Sequence, residues 1–187
     1  TRLNLNLKHV REAGQHANAD NATENRIPDF ELIRILGEGG MGLVYLARQT
    51  SIDRQIALKM LRPDRSGDEA CRKALLDEAA ITGHLDHPNI VPVHDLGCDD
   101  RNRLFYVMKE VKGQRWSETL QHKSRRDNLD IFLRVSDAIA FAHTRGVIHR
   151  DIKPGNLIRS AGGRWKLGDF GVAKDLASTA HLTLVGV

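Results

Sequence analysis

Two carboxylates and one amide occur close together in the last third of the sequence, in an arrangement that suits phosphoryl transfer. Asp151 and Asn156 belong to the stretch His-Arg-Asp-Ile-Lys-Pro-Gly-Asn, in which Lys153 lies between them, and Asp169 begins Asp-Phe-Gly. One carboxylate orients a hydroxyl nucleophile or accepts its proton, while the second carboxylate and the amide oxygen hold Mg²⁺ against phosphates. Taken singly, each stretch is an ordinary turn.

A glycine-rich stretch lies much earlier in the chain. Residues 36–44 read Leu-Gly-Glu-Gly-Gly-Met-Gly-Leu-Val, a pattern in which the missing Cβ atoms let the backbone approach phosphate oxygens closely. The same spacing opens dinucleotide-binding units, but there the glycines lead into a helix. Here they lead into a strand-like run from Leu43 to Ala47. We therefore predict a hairpin that covers phosphates, and a hairpin that only turns the chain is the alternative.

Lys59 stands among apolar residues in a predicted strand, where its ammonium needs a partner. Glu78, on the following predicted helix, is the expected partner, and the adjacent Asp77 competes for this role. Because neighbouring residues on a helix point in different directions, only one of the two can face Lys59. The ion pair would hold the ammonium toward two phosphates. A lysine whose stem lies at a strand edge with its charge in solvent is the alternative.

The elements that carry these residues alternate between β and helical patterns. Three β-like runs over 30–37, 43–50 and 54–61 predict an antiparallel meander. Apolar residues at helical spacing predict one helix over about 68–84 and another from Trp116 onward that ends before Gly146. Two more strands are predicted over 90–96 and 104–109. The first 29 residues are predicted to be a flexible tail or linker.

Composition and charge exclude several classes of protein. The 187 residues include 41% hydrophobic and 28% charged residues, which is typical of soluble globular chains and not of disordered, collagen-like or disulfide-stapled ones. No apolar run is long enough to span a bilayer, and no signal peptide is recognisable. The net charge of +4 comes from scattered residues, among them Arg101, Arg103 and Arg164. We therefore expect a solvated face and no nucleic-acid contact.

The two cysteines indicate the redox environment in which the protein is expected to reside. Cys71 and Cys98 are expected to be free thiols, because two cysteines in a chain of this length suit a reducing environment better than secretion.

Together the four stretches resemble, in type and order, those of the protein kinase superfamily. The runs LGEGGMGLVYLA, HPNIV, HRDIKPGN and DFGVAK are most similar to bacterial Ser/Thr kinases of the eukaryote-like type. The resemblance begins near residue 30 and reaches the end of the chain. It implies an α+β, protein-kinase-like fold: an antiparallel β small lobe with one main helix over 30–111, then part of a mainly helical large lobe over 112–187, with nucleotide in the cleft between them.

The resemblance also assigns roles to residues. Lys59 would contact the α- and β-phosphates with Glu78 bracing it, and Asp151 would be the catalytic base. Lys153 would lie near the γ-phosphate, as in kinases directed at Ser or Thr. The metal, Mg²⁺ with Mn²⁺ as the alternative, would be held by Asn156 and Asp169. The ATP-binding set comprises Leu36, Gly37, Glu38, Gly39, Gly40, Met41, Gly42, Leu43, Val44, Ala57, Lys59, the gatekeeper Met108, Glu110, Val111 and Ile158, of which Val44, Ala57 and Ile158 would sandwich the adenine.

Six further residues are expected to control activity. Phe170 and His149 would stack with Val93 and Thr82 in the column of side chains that links the lobes of active kinases, and Thr82 replaces the large apolar residue usual there. Gly168 would give the Asp-Phe-Gly turn extra freedom. Arg150 resembles the arginine that grips a phosphate on the activation segment, for which the candidates are Ser178, Thr179 and Thr183.

These patterns predict an ATP-dependent protein serine/threonine kinase in the cytoplasm, acting on protein substrates and on itself in trans, without membrane contact; a membrane-anchored parent protein is the alternative for location. The sequence reaches Val187 without Ala-Pro-Glu, so we expect a chain truncated within the activation segment, with apolar surface exposed on the helix from Phe132 to Ala142. An inactive truncated kinase or pseudokinase that binds nucleotide or partners is the alternative function. A small-molecule kinase of similar fold is the third.

Overall fold

The computed structural model describes residues 29–40 and 42–170 together with the backbone of 174–175. The predicted N-terminal tail, apart from Asp29, lies outside this part of the chain. Two compact units are present. Among the described residues, the first takes the chain up to Arg72 together with Asp95–Val107, and the second takes Lys73–His94 and the described chain from Met108 onward.

A five-stranded sheet is the main element of the first unit. Its strands are β1 (Phe30–Glu38), β2 (Gly42–Gln49), β3 (Arg54–Leu61), β4 (Val93–Cys98) and β5 (Leu104–Lys109), in the order β1-β2-β3-β5-β4. Strands β1 and β2 pair antiparallel, as do β2 and β3, so the predicted meander is confirmed. The last six residues of β3 are all buried, which explains why these residues are apolar except for Lys59 and do not alternate with polar ones.

One apolar cluster holds this sheet together. The ring of Phe30, at the start of β1, meets the ring of Phe105 on β5 edge-on, with centroids 5.9 Å apart. Each large apolar side chain buried in this way contributes about 1.5–3 kcal/mol. The other buried members are Ala47, Ile56, Leu58, Met60 and Val107.

A buried ion pair closes the turn between β4 and β5. The Nε of Arg103 donates to Asp99 Oδ2 over 2.7 Å, and the two side chains are 6% and 4% exposed. The prediction that Arg103 belongs to a solvated basic face is therefore wrong. The sequence alone did not identify Asp99 as the partner of Arg103, because this stretch contains several acidic and basic residues.

Helix α1 (Glu69–Gly83) agrees with the predicted helix to within a residue at each end. It begins after Asp68, whose Oδ1 accepts hydrogen bonds from the backbone N–H groups of Ala70 and Cys71. Such a cap satisfies amides that have no partner within the helix. One stripe of the helix is buried, at Leu75, Glu78, Ala79 and Thr82.

The predicted helical pattern from Trp116 onward is confirmed, although the chain forms two helices there and not one. These are α2 (Trp116–Thr119) and α3 (Arg125–Thr144), separated by a 3₁₀ turn over Leu120–His122. Ser124 caps α3 by accepting a hydrogen bond from Asp127 N–H through its Oγ. At the other end Gly146 has φ +75° and donates to His143 O, which confirms the predicted left-handed end of this helix.

Short strands follow α3: β6 (Val147–Ile148), β7 (Leu157–Arg159), β8 (Trp165–Leu167) and β9 (Lys174–Asp175). Strand β6 pairs antiparallel with β9, and β7 pairs antiparallel with β8. Backbone hydrogen bonds join β8 to the segment before β4, from Val91 N to Leu167 O and from Leu167 N to Asn89 O. The prediction that β4 starts at Ile90 is therefore wrong, because Ile90 bridges to Leu167 instead.

Helix α3 buries one face in the core of the second unit and exposes the other. Ile131, Val135, Ala138 and Ala142 lie in the core, which also contains Trp165, Leu167 and Phe170. On the exposed face Leu129, Phe132 and Leu133 are 55–57% exposed, so the expected apolar surface exists at Phe132. Within the described residues no helix combines the length and apolar character needed to cross a membrane.

Candidate active site

The glycine-rich loop is a tight turn between two strands. Gly39 N donates to Gly42 O over 2.9 Å, and β2 follows at once, so the strand-to-helix arrangement of dinucleotide-binding units is excluded. A Cβ on Gly42 would lie 2.6 Å from Met60 O, whereas one on Gly37 or Gly40 would meet no atom within 4 Å. Gly42 is thus required by packing on β3, while space remains open beside Gly37 and Gly40.

The sheet register aligns three predicted phosphate-site residues. Gly37 pairs with Val44, and Val44 pairs with Lys59, so the three lie side by side on β1, β2 and β3. Lys59 is 9% exposed on a central strand, and its Nζ lies 5.8 Å from the centroid of the Tyr106 ring. The alternative of a lysine at a strand edge is therefore wrong.

The two acids that competed for Lys59 have different surroundings. Glu78 is only 2% exposed, whereas the Asp77 side chain is 55% exposed and its Oδ2 lies 2.8 Å from Lys73 Nζ. A buried carboxylate needs a charge or hydrogen-bond partner far more than an exposed one does. Glu78 is therefore the better candidate, and its ion pair with Lys59 stays a prediction.

The remaining nucleotide-binding predictions concern partly exposed positions. Glu38 forms an ion pair with Arg62, its Oε1 being 2.5 Å from Nη1, and Glu110 Oε2 lies 3.5 Å from Lys112 Nζ. Ala57 is buried beside Leu46 on β2. Their contacts with adenine or phosphates stay predictions, as do those of Leu36, Leu43, Met108, Val111 and Ile158. Met41 lies outside the described residues.

The catalytic-loop stretch gathers its polar groups around Asp151. Lys153 Nζ donates to Asp151 Oδ2 over 2.5 Å. Asn156 Nδ2 donates to Asp151 O over 2.8 Å and lies 3.3 Å from Oδ2. The hydrogen bond from Lys153 lowers the pKa of the Asp151 carboxyl, and the same contact raises the pKa of Lys153. Asp151 is thus ionised at neutral pH and ready to accept a proton.

His149 connects this loop to the Asp-Phe-Gly stretch. Its Nδ1 accepts a hydrogen bond from Asp151 N–H, and its Nε2 lies 3.2 Å from Gly168 O. The ring stacks on Phe170 with centroids 4.4 Å apart. Burial lowers the pKa of His149, so the neutral tautomer protonated at Nε2 satisfies both hydrogen bonds. The predicted contact between Phe170 and His149 is confirmed, and their contacts with Val93 and Thr82 stay predictions.

The two predicted metal ligands are also linked through the backbone. Gly168 N donates to Asn156 O over 3.0 Å, and Asp169 is the next residue. A Cβ on Gly168 would meet Val91 Cγ2 at 3.3 Å. Because both backbone groups of Gly168 are bonded, this glycine is held in place here, and the extra freedom expected of it stays a prediction.

The donor chemistry of Asn156 and Asp169 fits a hard divalent cation. The amide nitrogen of Asn156 donates to Asp151, and Asn156 Oδ1 has no hydrogen bond in the described part of the chain. A carboxylate and an amide oxygen are ligands that Mg²⁺ accepts. No group of three or more His, Cys, Asp or Glu side chains in the described ranges suits a metal, so phosphates and water would supply the other ligands.

Two residues of this site have a left-handed backbone. Arg150 has φ +66° and Asp169 has φ +61°, and the other such residues in the described part of the chain that are not glycine are Asp29, Asp53 and Asn102 in turns elsewhere. Such conformations cost about 1–3 kcal/mol for residues other than glycine and persist where the surrounding structure enforces them. Strain of this kind is typical of functional sites. The phosphate-gripping role of Arg150 stays a prediction, since Ser178, Thr179 and Thr183 lie outside the described residues.

Arg115 is a supporting residue that the sequence analysis missed. Its Nη1 donates to Gly155 O over 2.6 Å, which fixes the loop between Lys153 and Asn156. An isolated bridge pairs Arg115 with Ile158. No local pattern could reveal these contacts, because they join segments about 40 residues apart.

The arrangement defines the class of protein. Residues 30–186 match the family model of the protein kinase domain, and the chain belongs to this family. Its fold is accordingly the protein-kinase-like α+β fold, with an antiparallel sheet and a helix in the small lobe.

Curated relatives of the chain include serine/threonine-protein kinases from bacteria. The chain is 38% identical over 153 residues to serine/threonine-protein kinase PrkC of Bacillus subtilis, covering 80% of this chain and 24% of PrkC. It is 41% identical over 163 residues to serine/threonine-protein kinase PknJ of Mycobacterium tuberculosis, covering 84% of this chain and 27% of PknJ. The chain thus spans about a quarter of the length of these curated relatives.

A solved structure supports the same comparison. The crystal structure of a mutant PknI kinase domain from Mycobacterium tuberculosis superposes with a TM-score of 0.64 and 30% sequence identity. The match covers 81% of this chain and 64% of that one.

Proposed function

We propose that the chain is part of an ATP-dependent protein serine/threonine kinase that transfers the γ-phosphate of ATP to protein hydroxyls. One observation carries the proposal: Lys153 and Asn156 both bond to Asp151 within a single loop. Phosphoryl transfer needs this set of an ionised base, a cation beside it and an amide ligand. The family and the names of the relatives support the same activity.

Asp151 would orient the acceptor hydroxyl and take its proton. The carboxylate is ionised because Lys153 lowers its pKa, and it is 38% exposed, so an acceptor can reach it. Lys153 would then neutralise charge on the phosphoryl group. Its position two residues after Asp151 favours Ser and Thr over Tyr as acceptors, by the resemblance stated above.

Asn156 and Asp169 would hold the divalent metal, for which Mg²⁺ is our first choice and Mn²⁺ the second. When bound, the metal supplies positive charge that neutralises the phosphates. His149 would keep both ligands in place, because it bonds to Asp151 N and to Gly168 O.

The small-lobe residues would bind the nucleotide. Gly37 and Gly40 leave open space for phosphate oxygens, and Lys59 lies beside Val44 in the sheet register. We further propose lobes over 30–111 and 112–187, substrates that include the protein itself in trans, and a cytoplasmic location, which the free thiols of Cys71 and Cys98 favour.

The test is phosphate transfer by the purified chain with ATP and either Mg²⁺ or Mn²⁺, offered matched peptides that carry Ser, Thr or Tyr. We expect transfer to Ser and Thr, together with a mass increase of the chain itself. Asp151→Asn should abolish transfer while nucleotide binding persists, and Asp169→Asn should abolish metal-dependent nucleotide binding.

The matched control is Asp137→Asn, which removes an exposed carboxylate on α3 and should leave transfer unchanged. Nucleotide binding without any transfer by the unaltered chain would favour the pseudokinase alternative. Equal transfer by Asp151→Asn and Asp137→Asn would defeat the role given to Asp151.

A further inference from the structure

A cavity lies in the second unit, and none of its lining residues belongs to the catalytic loop. Its volume is about 370 Å³. The first turns of α3 form one wall, and the hairpin between β7 and β8 forms the other. The kinase activity proposed above assigns no role to this cavity.

Cations predominate in its lining. Lys123, Arg134, Arg159 and Arg164 face two acids, Asp127 and Asp130. Ser124 Oγ donates to Asp127 Oδ2 over 2.7 Å, so this acid already serves the cap of α3. None of the four cations forms an ion pair with a carboxylate in the described part of the chain. The cavity therefore offers unpaired guanidinium groups, which bind carboxylates and phosphates by two parallel hydrogen bonds.

The floor of the cavity is apolar and fixed. Ile131 and Trp165 line it and are 4% and 6% exposed, because both also belong to the core of the second unit. Lys123 Nζ lies 5.9 Å from the centroid of the Trp165 ring. Because so little of either side chain is exposed, this floor adds little contact area, and the cations of the lining supply most of the contacts to a ligand.

The hairpin that presents two of the arginines is held in shape by its own hydrogen bonds. Ser160 N donates to Arg164 O over 2.7 Å, and Gly163 N donates to Ser160 O over 2.8 Å. Arg159 and Arg164 therefore stand at the two ends of a closed turn. A preformed site loses less entropy on binding than one that must be ordered first.

We propose that this cavity binds an acidic peptide segment of a partner protein. Its negative side chains contact Arg134, Arg159 and Arg164. A nucleic acid suits the site less well, because Trp165 has too little exposed ring for base stacking.

Tryptophan fluorescence tests the proposal directly. The chain has 2 tryptophans, Trp116 and Trp165, so a Trp116→Phe background leaves Trp165 as the single reporter. The probe is a short peptide that alternates Glu and Leu and has no aromatic residue. We expect a saturable change in fluorescence that weakens with rising salt. The assay contains no nucleotide, so its result is independent of the kinase activity proposed above.

Two variants block the site in different ways. Arg159→Glu combined with Arg164→Glu should weaken binding about tenfold or more. Gly162→Leu keeps every charge and fills the opening, since a Cβ at Gly162 meets no atom within 4 Å, and it should also abolish binding. The matched control, Arg101→Glu combined with Arg145→Glu, makes the same change in net charge outside the cavity and should bind normally.

Three results would overturn the proposal. The first is equal binding of a peptide in which Gln replaces every Glu. The second is unchanged binding by Gly162→Leu, whose fold circular dichroism verifies. The third is displacement of the peptide by an equal concentration of inorganic phosphate or of a single-stranded oligonucleotide, either of which would show that a different ligand class fits the cavity.

Discussion

Lys153 Nζ and Asp151 Oδ2 lie 2.5 Å apart in the catalytic-loop stretch. Because a positive charge stabilises the ionised carboxylate, this contact is the main reason why the pKa of Asp151 lies below its ordinary value. The pair therefore sets the lower end of the pH range in which Asp151 can accept a proton.

Replacing this lysine should move the acid limb of the pH profile. In Lys153→Met the pKa of Asp151 rises toward the ordinary value of about 3.9, so kcat/KM is lost at a higher pH as the solution is acidified. The measurement is kcat/KM for a Ser peptide across the acid range. Lys73→Met, which breaks the exposed ion pair with Asp77, is the control; acid limbs that coincide in both variants would contradict the assignment.

His149 should make the fold sensitive to acid. Burial lowers its pKa in the folded chain, while the unfolded chain titrates near its usual value of about 6.5. Below that pH the imidazole binds a proton in the unfolded state but not in the folded state. The free energy of unfolding therefore falls by at most about 1.4 kcal/mol per pH unit, until the pH reaches the pKa of His149 in the folded chain.

Urea unfolding at a series of pH values checks this expectation. His149→Gln should flatten the loss of stability between about pH 7 and pH 5. His143→Gln, at an exposed histidine in the last turn of α3, should keep the slope of the unaltered chain. A His149→Gln slope equal to that of the control would show that other groups cause the acid sensitivity.

Thr82 carries a buried hydroxyl whose Oγ1 has no hydrogen-bond partner in the described part of the chain. Thr82→Val replaces this hydroxyl by a methyl group of similar size, so the free energy of unfolding should rise by about 1 kcal/mol. Thermal unfolding measures the change. The control is Thr144→Val, which removes a hydroxyl that donates to Phe141 O over 2.7 Å and should not stabilise the chain. A destabilised Thr82→Val would reveal a partner for Oγ1.

Gly113 lies where no side chain fits. A Cβ there would be 1.6 Å from Arg159 O, so Gly113→Ala must push β7 away and should cost about 3 kcal/mol or more. Gly162→Ala is the matched control in the same unit, because its Cβ meets no atom within 4 Å. Denaturant midpoints distinguish the two variants, and equal midpoints would mean that the chain relaxes around the new methyl group.

The parts of the fold that were predictable from sequence are those with local signals. Strands β1, β2 and β3 were predicted from β-like runs separated by turn residues, and β5 was predicted over its full length. The helix break after Trp116 had a local signal that went unused, since Ser124 followed by Asp127 three residues later is typical of a helix start. The motif residues Asp151, Lys153 and Asn156 were predicted because their spacing is itself the signal.

Non-local contacts were not predictable. Apolar character placed Ile90 in a strand but could not tell that its partner is Leu167. Arg103 looked like one more scattered cation, because only the folded turn reveals Asp99 beside it. No periodic pattern in the sequence indicates the contact between Arg115 and Gly155 O. Patterns of residue type indicate which residues are buried, but they do not indicate which residues each of them packs against.

The strand that leads to Asp169 depends on a distant segment for its stability. Strand β8 is three residues long and pairs with an equally short β7, and isolated pairs of this size are marginal at best. Its further bonds come from residues 76–78 positions earlier: Lys166 Nζ donates to Pro88 O and Ile90 O, and Asn89 Nδ2 donates to Trp165 O. During synthesis the segment around Asn89 leaves the ribosome first, and β8 docks on it later. Asp169, the residue expected to hold the metal, therefore takes its place only after the earlier segment that supports β8 is available.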